Sequence, residues 1–161
     1  MTRYEILLKK PVPIPIQPPE IPKYYMGMDV SYSTRDKNAI AITHMNGDNV
    51  IVDFIDHRAY HMDTIVEWAS DLSKKWSIRQ GIVDEAHMAR VLGLDYVPSI
   101  TSEMSHIFDR YKENIISGYS RELLENQDVK DALIRSVWLS VKNEFCPARA
   151  ENGRFTFYEK I

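Results

Sequence analysis

From Tyr24 onward the apolar and polar positions change period several times. Tyr24–Tyr32 (YYMGMDVSY), Asn38–Met45 (NAIAITHM) and Asn49–Asp56 (NVIVDFID) are short runs rich in aromatic, β-branched and other apolar residues, which read as strands. Asn46-Gly47 separates the second run from the third and is a strong hairpin signal, because both central positions of a type I′ turn need positive φ. Three antiparallel strands in a row are therefore expected. The period then becomes helical. Ile65, Val66, Ala69, Leu72 and Trp76 share one face, Ser70, Asp71, Lys74 and Lys75 fill the other, and Thr64 with Glu67 reads as a capping box. Ile78–Asp84 (IRQGIVD) is a short buried strand, parallel to an earlier one if the crossover is right-handed as usual.

Farther along, Ala86–Leu94 reads as a helix with Gly93 near its end, Tyr96–Ile100 as a strand, and Ser102–Tyr119 as helical in part. Asp128–Asn143 is a long helix whose Val129, Ala132, Leu133, Val137 and Val141 form a buried face. The tail from Pro147 reads as a turn and a short strand. Hairpin-first, crossover-later order predicts an α/β domain, a mixed sheet of about five strands flanked by helices.

Six of the eight prolines lie between Pro11 and Pro22 (PVPIPIQPPEIP). Proline fixes φ and removes a donor, so residues 1–23 read as an extended N-terminal arm or linker, and residues 24–161 as the folded domain. The composition, 44% hydrophobic and 27% charged, is that of a globular chain and excludes a wholly disordered or collagen-like one. No apolar run reaches the roughly 18 residues of a membrane span, and Met1–Lys10 lacks a signal-peptide layout. One cysteine, Cys146, excludes a disulfide framework and a thiolate zinc cluster, and the expected compartment is a reducing cytoplasm. The net charge of −3 is not the footprint of a nucleic-acid coat protein. It is compatible with phosphate chemistry if acids hold metal ions, which bring their own positive charge.

Four acids fall where such chemistry would put them. Asp29 lies in the first strand in apolar company, where an unpaired carboxylate is costly. Asp84 ends the apolar strand IRQGIVD, with Glu85 after it. Asp128 and Asp131 share a face at the start of the last helix, although Asp128 also suits a bland role as N-cap. Carboxylates from two strands and a helix make an all-oxygen site that suits one or two Mg²⁺ or Mn²⁺ ions. Two such ions about 3.5–4 Å apart activate a water and stabilise the leaving oxygen in phosphodiester cleavage. Strand alternation favours Asp84 over Glu85 as the second ligand.

The segment MGMDVSYSTRDKNAIAITHMNGDNVIVDFIDH resembles the opening of the nuclease domain of viral large terminases. These belong to the ribonuclease H-like superfamily, alongside RuvC-type Holliday junction resolvases. Gly27-Met28-Asp29, Asp36-Lys37-Asn38-Ala39, Ile82-Val83-Asp84 and Asp131-Ala132-Leu133 stand at the family's motif positions, over roughly Tyr24–Asn143. The resemblance implies a ribonuclease H-like fold and a metal-dependent DNA endonuclease with Asp29, Asp84 and Asp131 as catalytic ligands. Asp128 and Glu85 would be further metal ligands. Arg35 and Lys37, after the first strand, would contact DNA. It further implies viral DNA packaging in a host cytoplasm, as monomer or dimer, with a separate ATPase motor or packaging proteins, since no GxxxxGK[ST] loop occurs here. A RuvC-type resolvase is the first alternative, though Ser31-Tyr32-Ser33-Thr34 replaces the glycine-rich continuation usual there. A catalytically silent binding or scaffold protein of the same fold is the second.

Other chemistries fare worse. Asp84-Glu85-Ala86-His87 spells a helicase acidic box, but that role needs the phosphate loop. His57 and His61 are expected in a loop rather than as a metal pair, and His87 as a loop residue. Cys146 has no partner motif for a thiol nucleophile. Among the cations, Lys37, Lys74, Lys75, Arg79, Arg90, Arg121, Lys130 and Arg135 are candidate phosphate contacts, of which most read as ordinary solvated charges, Lys74 and Lys75 among them; Arg135 reads as a partner for Asp131 one turn away, and Arg35 and Lys37 are the better candidates. Trp68, Trp76 and Trp138 read as core or interface residues.

Overall fold

The computed structural model describes residues 21–31, 38–144, 148–151 and 154–156. The expected arm at 1–20, together with Arg35, Lys37 and Cys146, lies outside the described residues. β1 (Tyr25–Asp29), β2 (Asn38–Asn46) and β3 (Asn49–Arg58) form the antiparallel meander. Its second turn sits one residue later than the Asn-Gly signal implied. Asn46 pairs with Asn49, so Gly47 and Asp48 are the central residues. Gly47 has φ +65°, whereas Asp48 is not among the residues with positive φ, which excludes type I′.

α1 (Met62–Lys75) crosses from β3 to β4 (Gln80–Val83), which lies parallel to β1 as expected. The capping box at Thr64 does not form. The helix starts two residues earlier, with His61 in the N-cap position and no side-chain cap, and Asp63 in the first turn complements the helix dipole instead. His57 lies in β3 rather than in a loop. Then follow α2 (Ala86–Leu92), β5 (Asp95–Tyr96), α3 (Ser102–Tyr111), a 3₁₀ turn (Lys112–Asn114), β6 (Ile115–Ser117), α4 (Arg121–Leu124) and α5 (Gln127–Glu144). Gly93 ends α2 in the left-handed conformation, where a glycine carries no side-chain penalty. The sheet is mixed and six-stranded, ordered β5-β4-β1-β2-β3-β6, one strand more than expected because β6 adds in parallel to β3. β7 (Ala148–Glu151) and β8 (Arg154–Thr156) form a separate ribbon.

Strand alternation divides the core into two layers. Met26, Met28, Ile40, Ile42 and Val83 pack with Ile65, Ala69 and Leu72 of α1. Tyr25, Ala39, Ala41 and Ile82 pack with Val129, Ala132, Leu133 and Val137 of α5. The same parity puts Gly27 and Asp29 on the α5 side of β1, and Asp84 on the α5 side of β4.

α5 comes very close to β1. A Cβ at Gly27 would stand 2.2 Å from the Ala132 carbonyl oxygen and 2.6 Å from the Ser136 nitrogen. Only glycine fits, because its missing side chain makes room for helix backbone. Buried hydroxyls tie the two layers together. Ser136 Oγ donates to the Tyr25 carbonyl oxygen at 2.8 Å, and Thr43 Oγ1 lies 2.7 Å from both Ser136 Oγ and Ser140 Oγ. With Ser136 beside Tyr25 and Ala132 beside Gly27, α5 runs antiparallel to β1. Its first turn therefore reaches the end of the strand that carries Asp29.

Candidate functional site

β1 and β4 run in parallel and end at the same sheet margin. Asp29 is the last residue of β1, and Asp84 directly follows Val83, the β1 neighbour of Met28. The Asp84 carboxylate accepts the Val30 backbone N–H at 2.9 Å, which joins the two strand ends. Asp128 and Asp131 come from the first turns of α5 above them. The bland role considered for Asp128 belongs to another residue. Asn126 Oδ1 accepts the N–H groups of Asp128 and Val129 at 3.0 and 3.1 Å, so Asn126 is the N-cap of α5. The Gln127 amide donates to Asp131 Oδ1 at 2.8 Å, and Asp131 is thereby oriented from within its own helix.

The electrostatics show that these acids share one field. Burial pushes the Asp29 carboxyl up to about 7, and Asp84, Asp128 and Asp131 push it the same way, while the Arg135 guanidinium pulls it down. Burial also raises Asp84, opposed first by the Val30 N–H and then by Arg135. The acids do not yet converge on one point. Among the described residues, no three His, Cys, Asp or Glu side chains stand close enough to hold a metal ion as they are. The donor set nevertheless fits a hard divalent cation. It is all oxygen, and it lacks enough positive charge to keep Asp29 ionised at neutral pH.

Arg135 is the residue whose part here its sequence position concealed. Its spacing from Asp131 suggested a surface pair. Instead it is only 2% exposed, and Nη2 donates to the Val97 carbonyl oxygen at 3.3 Å. Its Nε and Nη1 are buried without a hydrogen-bond partner. A guanidinium in that position offsets the charge of the acids from beneath. Asn38, wholly buried, is a second such residue. It accepts the Ser31 N–H at 2.7 Å and donates to the Arg58 carbonyl oxygen at 3.0 Å, tying the residue after Val30 to the meander.

Glu85 sits elsewhere: its side chain accepts the Met88 N–H at 2.7 Å as the N-cap of α2, and it is not among the acids that raise Asp29. His87 is exposed on α2 beside Arg90. Trp68 is buried under the sheet, and Trp138 donates to Glu103 of α3, as core and interface roles require. No helix among the described residues is long and apolar enough to cross a membrane.

The architecture is that of a ribonuclease H-like α/β domain. No protein-family model matches the chain, and neither does any curated protein. Among solved structures it is similar to the large terminase nuclease of the thermophilic phage G20c, crystallised with bound zinc. The TM-score is 0.54 at 12% identity, over 71% of this chain and 80% of that one. It is also similar to the large terminase of a second thermophilic bacteriophage, solved in two crystal forms, with TM-scores of 0.46 and 0.44 at 15% and 16% identity. Those matches cover 65% and 71% of this chain, and 30% and 32% of the longer terminase chains. The first of these likenesses shows the fold, that of a large-terminase nuclease domain.

Proposed function

We propose that this chain is a divalent-metal-dependent DNA endonuclease, acting in viral DNA packaging beside an ATPase motor carried elsewhere. One observation carries the reading: acids from β1, β4 and α5, distant in sequence, act together on the Asp29 carboxyl. Acids gathered at the ends of neighbouring strands, with their carboxyls pushed up by burial and by one another, are a common mark of a functional site. The fold likeness to a terminase nuclease with bound zinc supports a divalent metal at such a site.

In this reading Asp29, Asp84 and Asp131 hold Mg²⁺ or Mn²⁺, with Asp128 as a further ligand. The bound ions supply water activation and stabilisation of the leaving 3′ oxygen during in-line attack on the phosphodiester. The chain's own part is placement and charge. The Val30 N–H fixes Asp84, and Gln127 fixes Asp131. Arg135 limits the repulsion among the acids before any cation arrives. Asp29 must give up its proton to become a ligand, so metal binding releases that proton and tightens as pH rises toward about 7.

The test is nicking of supercoiled plasmid in Mn²⁺, Mg²⁺ or chelator by the native chain, Asp29→Asn and Asp131→Asn. Metal-dependent nicking that falls at least a hundredfold in both variants is the expected result. A folded native chain that leaves plasmid intact in either metal and binds neither ion would replace this reading with a silent scaffold of the same fold.

A further inference from the structure

Across Gln127 from Asp131, a cavity of about 490 Å³ opens between α3, α4 and the start of α5. Its floor is apolar, made by Phe108, Ile115, Leu124 and Leu133. Its rim is cationic: Lys112, Arg121 and Lys130 line it, against one acid, Glu125. The ion pairs His44–Asp53 and Arg58–Asp56 lie elsewhere and do not draw on these cations. This is a local excess of positive charge on a chain whose net charge is −3. Gln127 belongs to both places, since it lines the cavity and its amide donates to Asp131.

From this juxtaposition we infer that the cavity is a subsite for one nucleotide of the DNA strand being cut, adjacent to the scissile phosphate. The inference rests on the nuclease reading and extends it. Lys112, Arg121 and Lys130 take the phosphate, and the apolar floor takes the base. Both halves are needed: cations alone would hold any anion, and an apolar floor alone would not favour a charged strand. The volume accommodates a nucleotide, and the shared Gln127 puts the subsite within one helical turn of a catalytic acid.

The experiment uses the Asp29→Asn chain, which keeps the strand intact, and a fluorescent single strand of about 12 nucleotides, long enough to span one binding groove, followed by anisotropy across a salt series. Lys112→Gln, Arg121→Gln and Lys130→Gln are combined. The three cations share one phosphate, so the triple variant should lower the slope of log K against log salt by about 0.7 for a single strand. Affinity should fall at least about tenfold near 0.1 M salt. Lys74→Gln with Lys75→Gln, on α1 across the sheet, should leave the slope unchanged. A strand with abasic sites in place of bases should keep the slope and bind more weakly. A folded triple variant with native slope and affinity would overturn the subsite, and undiminished binding of the abasic strand would overturn its base-binding half. Plasmid nicking by the native chain is scored separately. Its absence alongside the expected slope change would remove the nuclease reading and leave a strand-binding cavity.

Discussion

The carboxylate of Asp84 accepts the backbone N–H of Val30, one residue beyond Asp29. That bond favours the ionised form of Asp84, and among the described residues no comparable donor eases Asp29. Both neighbouring acids are pushed up, and the proton held toward neutrality belongs to the pair they form, with Asp29 under the stronger push. An unfolded chain releases this proton near the ordinary value of 3.8, the folded chain only near 7. Between these pH values the folded state binds the extra proton, so stability falls as pH rises through the window, and the whole penalty is present above 7. Asp29→Asn removes it. In chelator at about pH 8 the variant is expected to be more stable than the native chain, by on the order of 1–2 kcal/mol after allowing for the partial exposure of the carboxylate. The difference should vanish below about pH 3, where the carboxyl is protonated in both states. Urea melts at both pH values check this, and equal stability at the higher one would contradict the shared field.

Gly27→Ala tests the close approach of α5. The new Cβ meets helix backbone, which cannot swing aside as a side chain would. A loss of about 1–3 kcal/mol is expected, with nicking reduced by more than the loss of folded chain accounts for, because α5 carries Asp128 and Asp131. Denaturant melts and specific activity per folded molecule separate the two effects.

Among the described residues Arg135 is the cation that holds Asp29 down, and Arg135→Met removes it. The Asp29 carboxyl titration, followed by ¹³C NMR in chelator, should then have a midpoint above the native value near 7. A midpoint at or below the native one would show that the guanidinium does not act on the acids.

Asn126→Ala leaves two N–H groups of the first turn of α5 without their acceptor. It should cost about 1 kcal/mol. Because that turn carries Asp128, hydrogen exchange at Val129 should speed up in the same variant.

Much of this architecture is written in local patterns. The meander, the buried strand before Asp84 and the long last helix each repeat their apolar period long enough to be read, and the parity of Ile82 and Asp84 chose the site-facing acid ahead of Glu85. What stayed hidden depends on distant neighbours. β6 is three residues, too short to alternate, and exists because β3 offers it an edge. The Thr64 capping signal lost to two further residues of helix. Helical spacing makes Arg135 a partner for Asp131 and says nothing of what lies beneath. Its burial depends on Val97, far away in sequence.

The buried hydroxyls of Thr43, Ser136 and Ser140 have a consequence of their own. An apolar helix–sheet interface tolerates sliding, because one methyl contact replaces another. Hydrogen bonds of 2.7 Å do not: a shift by one turn would leave buried hydroxyls unsatisfied. The seam thus works as an index mark that sets where α5 stops along its axis. Ser140 lies about 18 Å along that axis from Asp128, at a rise of about 1.5 Å per residue. The spacing of the acids is held from the far end of the helix, where a cautious mutagenesis would not think to look.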